Sequence, residues 1–228
     1  MNPAFALATV FTILAGLWLD RAHSVPVQAA VALCTWSLLF AMGWRAAPEQ
    51  RTQWLVCLAW ASAGEIVLSL VWGLYDYRLG NLPLFVPPGH VLLFALGVWL
   101  SRRLPAAWLG AVPALAAGLV VSFAWLSGDT LSLPLLALFL LCVRFGPSPS
   151  LYSTMFVLAL LMELYGTATG AWIWRADVPG LPLGAANPPL AAGALYCALD
   201  WLTGLSRSRR RKDTPDRTCA LASDSARS

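Results

Sequence analysis

A chain of 228 residues with 59% hydrophobic and only 11% charged side chains, and a mean hydropathy of +0.68, is too apolar for a soluble globular domain. Its formal charge of +4 gathers at one end: residues 1–205 carry eight basic and eight acidic side chains, residues 206–228 seven and three. This composition predicts an all-α, polytopic transmembrane helix bundle surrounded by membrane lipids, and no nucleic-acid signature accompanies the basic end.

Apolar runs able to cross about 30 Å of hydrocarbon at about 1.5 Å per residue fall at 3–19, 25–44, 54–74, 84–101, 106–127, 130–143, 150–173 and 185–205. The first follows Met1-Asn2-Pro3 without a preceding positive charge and is long for a signal-peptide core, so it is expected to remain as the first helix. The fourth begins in a proline-rich stretch and the sixth is short and overlaps Pro134, which leaves room for a re-entrant element at either. Of the five cysteines, Cys34, Cys57, Cys142 and Cys197 sit in apolar segments and Cys219 in the tail. None has Cys-x-x-Cys spacing, so they read as small core residues rather than disulfides or zinc ligands. With two histidines far apart and no phosphate-cradling glycine loop, no metal and no cofactor is expected.

Basic residues set the orientation. Twelve (Arg45, Arg51, Arg102, Arg103, Arg144 and seven in the tail) fall on one side of an eight-span arrangement, and three (Arg21, Arg78, Arg175) on the other. By the positive-inside rule both termini are cytoplasmic, in an inner (plasma) membrane. The run from Arg207 to Lys212 fixes this orientation and offers charge to anionic lipid headgroups, and residues 206–228 read as a disordered basic tail.

Within the apolar body one pattern occurs twice. Glu65 leads to Gly73, Tyr75, Tyr77, Arg78, a proline-containing loop and Pro87-Pro88; Glu163 leads to Gly170, Trp172, Trp174, Arg175, a proline-containing loop and Pro188-Pro189. An acid at the bilayer centre costs at least about 2.5–3.5 kcal/mol, so two at matching places point to a shared polar site. Since the glutamates belong to the third and seventh spans, the repeats should be parallel, with halves at about 1–104 and 105–205. Those two spans are expected to face each other, with Gly166-x-x-x-Gly170 admitting a neighbouring helix. Ser69 and Thr167, one turn after each acid, are placed to bond the carboxylate or the backbone.

A protonated carboxylic acid in hydrocarbon can donate a proton while a partner carboxylate activates water or removes one, so Glu65 and Glu163 are candidate catalytic residues. Aromatic faces of Trp72, Tyr75, Tyr77, Trp172 and Trp174 can line an apolar substrate and stabilise a developing cation, although an interfacial aromatic belt explains them equally. Arg78 and Arg175 are candidate substrate contacts that also fit simple pairing with Asp76 and Asp177. His90, in the first turn after Pro87-Pro88-Gly89, is a candidate acid or base without a counterpart in the second repeat, where Asn187 is the polar neighbour of the Pro-Pro pair. Asp200 reads as a local cap or pairing partner.

The stretch from Glu65 to Gly89, with Gly73, Tyr75-x-Tyr77, Gly80, Pro83 and Val86-Pro87, resembles the integral-membrane carotenoid-biosynthesis proteins that include the bisanhydrobacterioruberin hydratases. It is similar, more distantly, to the small membrane lycopene and terpene cyclases. Trp72-x-x-Tyr75-x-Tyr77-Arg78 with Val86-Pro87-Pro88-Gly89-His90 also resembles a group of uncharacterised bacterial membrane proteins. The first resemblance implies acid-catalysed hydration or cyclisation of an isoprenoid double bond, with Glu65 as the transferable residue; His90 and the arginine of the second repeat depart from that pattern. Three readings follow: an enzyme acting on a lipophilic small-molecule substrate, a small proton-coupled carrier, and a non-catalytic membrane scaffold.

Overall fold

Proline lies at one of the first two positions of five of the eight α-helices, where its missing N–H costs nothing and its fixed φ starts the turn. In a computed structural model, which describes residues 1–22 and 24–213 and side chains as far as 204, the elements are α1 (Pro3–Leu19), α2 (Val25–Trp44), α3 (Pro48–Glu65), β1 (Tyr75–Tyr77), α4 (Val86–Ser101), α5 (Ala106–Ser127), α6 (Ser132–Phe145), α7 (Pro149–Thr169), β2 (Trp172–Trp174) and α8 (Ala194–Asp213). Five helical stretches, Pro3–Ala22, Val25–Trp44, Pro48–Val71, Ala106–Ser127 and Pro149–Thr169, are long and apolar enough to cross a membrane. Helices α4 and α6 are apolar but shorter, with 16 and 14 residues.

Helices α3, α4, α7 and α8 form a ring in which each packs on the next and α8 closes on α3. The pair α1–α2 lies against α4, with α1 also touching α7; the pair α5–α6 lies against α7, with α6 also on α8. Phe94, Leu92 and Met155 fill the ring, and Phe139 stacks on Phe156 at 4.3 Å where α6 meets α7. Beyond the start of α3 neither outer pair covers it, and Leu55 in α3 and Ile66, Val67, Leu70 and Val71 just after it are exposed. Exposed apolar side chains of this density suit hydrocarbon surroundings and not water.

Several expectations change. The fold is mostly helical but not all-α, because Tyr75-x-Tyr77 and Trp172-x-Trp174 pair as antiparallel strands, with Tyr75 opposite Trp174, Asp76 opposite Ile173 and Tyr77 opposite Trp172. The seventh run therefore stops at Thr169: Gly170, at φ +72°, takes the left-handed conformation that ends a helix, as Gly73 does at φ +73°. The eighth helix begins at Ala194 and not near 185, because residues 185–193 are held as a loop by side-chain bonds described below. It continues to Asp213, past the expected boundary at 205; residues 214–228, with Cys219, lie outside the described residues, as do the side chains of the basic run from Arg207. Cys57, Cys142 and Cys197 are buried as expected, but Cys34 is exposed on α2.

A π-helical turn, Ile66–Val71, prolongs α3. Glu65 and Gly73 are eight positions apart, whereas Glu163 and Gly170 are seven. The wider turn takes up the extra residue while keeping the backbone ladder, through Trp72 N to Val67 O at 2.8 Å and Leu74 N to Leu68 O at 2.9 Å.

Candidate functional site

Alternation along β1 turns Tyr75 and Tyr77 to the same buried side, with Asp76 exposed between them. Both hydroxyls donate to one oxygen of Glu65: Tyr75 Oη lies 2.9 Å and Tyr77 Oη 2.6 Å from Oε2. The other oxygen, Oε1, lies 3.0 Å from His90 Nε2. Strand β2 repeats the device with indoles: Trp172 and Trp174 donate to Glu163 Oε2 at 2.8 and 3.0 Å. Both donors meet the same oxygen, which leaves Glu163 Oε1 without a side-chain donor among the described residues. Each strand thus supplies the acid that precedes it with two hydrogen-bond donors from side chains that are otherwise apolar, so the carboxylate is solvated without opening the interior to water.

The histidine is oriented on three sides. Its ring stacks on Tyr196 at 5.2 Å between centroids, and Nδ1 lies 2.9 Å from Val86 O. A carbonyl only accepts, so the proton on that side belongs to Nδ1. The Nε2–Oε1 contact then holds a single proton, carried either by the imidazolium or by the carboxylic acid, and the pair is a one-proton store.

Glu65, Glu163, His90 and Tyr75 line the same two cavities. One, of about 70 Å³, lies beneath the α1–α2 pair, with Thr12, Thr35 and Tyr77 adding polar atoms. The other, of about 360 Å³, lies between α3 and α8 and is otherwise mostly apolar, with the Tyr196 hydroxyl and the indoles of Trp60 and Trp174 beside the shared groups. Helices α3 and α7 stand on a diagonal of the ring and do not pack face to face as expected, but their carboxylates reach the same space. Nor does Gly166 admit a helix: the Trp172 ring occupies the place a Cβ would take there, which lets the indole turn back toward Glu163.

The other candidates sit around this centre. Arg78 Nε donates to Gly170 O at 2.8 Å and its Nη2 to Thr169 O, covering the carbonyl end of α7, with Asp20 at 3.5 Å from Nη1. Arg175 lies over Gly73 and pairs with Asp76, with Nε to Oδ2 at 3.0 Å and Nη2 to Oδ1 at 3.2 Å; this bond raises the guanidinium above its ordinary pKa. Each arginine therefore braces the helix end that belongs to the other acid. Trp72 is partly exposed and donates to Pro179 O at 2.8 Å, and Asn187 Oδ1 accepts from Trp174 N at 3.0 Å. Neither arginine, Trp72 nor Asn187 is among the residues lining the two cavities. Ser69 bonds Tyr75 O and Thr167 bonds Glu163 O, so both hydroxyls serve the backbone. Asp200 accepts from Tyr152 Oη at 3.1 Å, a partner on α7, 48 positions away, rather than the local one expected.

Sequence reasoning missed two buried acids. Asp129 accepts from Ser132 Oγ at 2.6 Å, from Leu190 N at 3.0 Å and from Ala186 N at 3.2 Å, and Ser132 Oγ accepts from Ala191 N at 3.1 Å. These bonds hold the loop before α8. Asp20 accepts from Gln28 Nε2 at 3.3 Å, and Gln28 Oε1 accepts from Asn81 Nδ2 at 2.9 Å, which ties down the loop before α4. The signal was present, since an acid stands just after the end of both α1 and α5. Tyr196 was likewise missed, because its side chain meets that of His90 across the diagonal of the helix ring between α4 and α8.

No family model, curated protein or solved structure matches this chain.

Proposed function

We propose that this protein is a membrane-embedded acid–base catalyst of eight spans, built as two parallel four-helix halves, acting on a lipophilic substrate that carries a carbon–carbon double bond, isoprenoids included. The repeat reading is supported by the strand register, centred on Asp76 and Ile173, by the paired left-handed glycines, and by the two acids each bonded to two aromatic side chains. One observation carries the chemical reading: the buried Glu65 and the half-buried Glu163 and His90 border the same pair of cavities among apolar side chains.

In this reading the Glu65–His90 pair delivers its single proton to one alkene carbon, the π electrons forming the new C–H bond. The resulting cation faces the Tyr75 and Trp174 rings. Glu163 then removes a proton through its open Oε1. It takes it from a neighbouring carbon, which restores a double bond in a shifted or cyclised product, or from a water adding to the cation, which gives an alcohol. One proton is delivered and one recovered, and its return from Glu163 to the Glu65–His90 pair through the shared cavity resets the site. The smaller cavity, with its hydroxyl and carboxylate walls, suits water; the larger suits hydrocarbon.

Lipid extraction and mass spectrometry of cells with the gene, without it, and with Glu65→Gln or Glu163→Gln tests the reading. A lipid species that changes in mass or retention with the wild-type gene, and is unchanged with either variant, is expected. Identical lipids in all four overturn it.

A further inference from the structure

The two halves are not equivalent around the acids. The structural counterpart of the gap between α3 and α8 is the gap between α7 and α4, which α1 covers and Met162, the neighbour of Glu163, helps to fill. At the matching position before Glu65 stands Gly64, where a Cβ would meet nothing within 4 Å. Among the described residues the α1–α2 pair meets α3 only near its start, at Gln50 and Trp54, so at the level of the larger cavity the wall on that side is α3 and α8 alone. Its rim includes Trp60, Val67 and Leu202, which are 41%, 50% and 38% exposed; its floor is made by Ala61, Tyr196 and Leu199, buried to 7% or less, together with Glu65. Trp60 lies midway along the stretch Pro48–Val71. An opening at that depth meets acyl chains and neither aqueous face.

From this we infer that the slot between α3 and α8 is a lateral portal through which an apolar chain passes from the bilayer core to the acid centre, and that Gly64 holds it open. The occupant is a hydrocarbon chain, isoprenoid or acyl, lying with its reacting segment against Glu65, His90 and Glu163. A site reached this way selects its ligand by partition into the membrane and by slenderness, since the walls at Ala61, Ala63, Gly64, Ala192 and Ala198 are all small. The cavity volume of about 360 Å³ lies in the ordinary range of small-molecule sites. This inference rests on the catalytic reading for its destination only, because occupancy requires no turnover.

The test uses the full chain in lipid nanodiscs and two photoactivatable probes, a diazirine-bearing polyprenol and a phosphatidylcholine with a diazirine in mid-chain, with labelled residues mapped by mass spectrometry. Labelling of the floor residues Ala61 and Leu199 by at least one probe is expected, falling about tenfold in Gly64→Phe and in Ala198→Phe. Labelling of the outward Leu55 and Val71 should persist in both, which shows that the variants are inserted and folded, and Gly64→Ala should label as wild type. The polyprenol labelling the floor more strongly assigns the slot to isoprenoid chains; the phospholipid doing so assigns it to acyl chains. Labelling confined to outward residues, or floor labelling indifferent to Gly64→Phe, overturns the portal. Floor labelling without any lipid change in cells leaves the portal standing and overturns the chemistry instead.

Discussion

Glu65 and Glu163 differ in how tightly they are held. Glu65 has both oxygens engaged, one by two phenols and one by an imidazole, whereas Glu163 has both indoles on a single oxygen. Removing one donor from a buried charged or polar acceptor costs about 1.5–3 kcal/mol. Trp174→Phe, which keeps the ring but deletes the N–H, should therefore destabilise the protein by about that amount in denaturant or thermal unfolding in detergent. A change below about 0.5 kcal/mol, the scatter of neutral surface substitutions, would show that the indole bond is not made. The acids were legible in the sequence because a carboxylate amid twenty apolar residues has few innocent explanations. Asp20 and Asp129 were not, because an acid at a span end is commonplace until the loop that it binds is known.

At the level of elements, the helices could be read from hydropathy and prolines, and the strands could not. Tyr-x-Tyr and Trp-x-Trp at the end of a span read as an interfacial belt, yet alternation at period two was the strand signal, and it is the strands that turn four aromatic side chains onto two carboxylates. The unequal glutamate-to-glycine spacing was also in plain sight, and the π turn at Ile66–Val71 is its physical expression. Deleting Leu70, which is exposed, restores the seven-position spacing of the second half. The deletion variant should fold with an ordinary α-helical turn there and retain cooperative unfolding, and hydrogen exchange at residues 66–72 should slow. Loss of folding would show that the wide turn is required for the strand register and does not merely absorb an insertion.

Across the whole molecule, the sequence leads to the expectation of a helical bundle in a membrane, but nothing in it foretold that α1–α2 would lie over the α4–α7 gap while most of α3 stayed bare. The reason is physical: these helices are apolar on every face, so periodicity carries no information about which face meets protein and which meets lipid. That asymmetry places a small polar cavity on one side of the acid cluster and an open apolar one on the other. The central claim, that the cluster moves protons to and from carbon, can be measured without knowing the product. Purified protein in liposomes made from the host's own lipids is incubated in D₂O, and deuterium in non-exchangeable C–H positions is followed by mass spectrometry. The account predicts incorporation into an unsaturated lipid with wild-type protein, and loss of that incorporation with Glu65→Gln and with Glu163→Gln. Lipids free of carbon-bound deuterium in the presence of folded wild-type protein would contradict it.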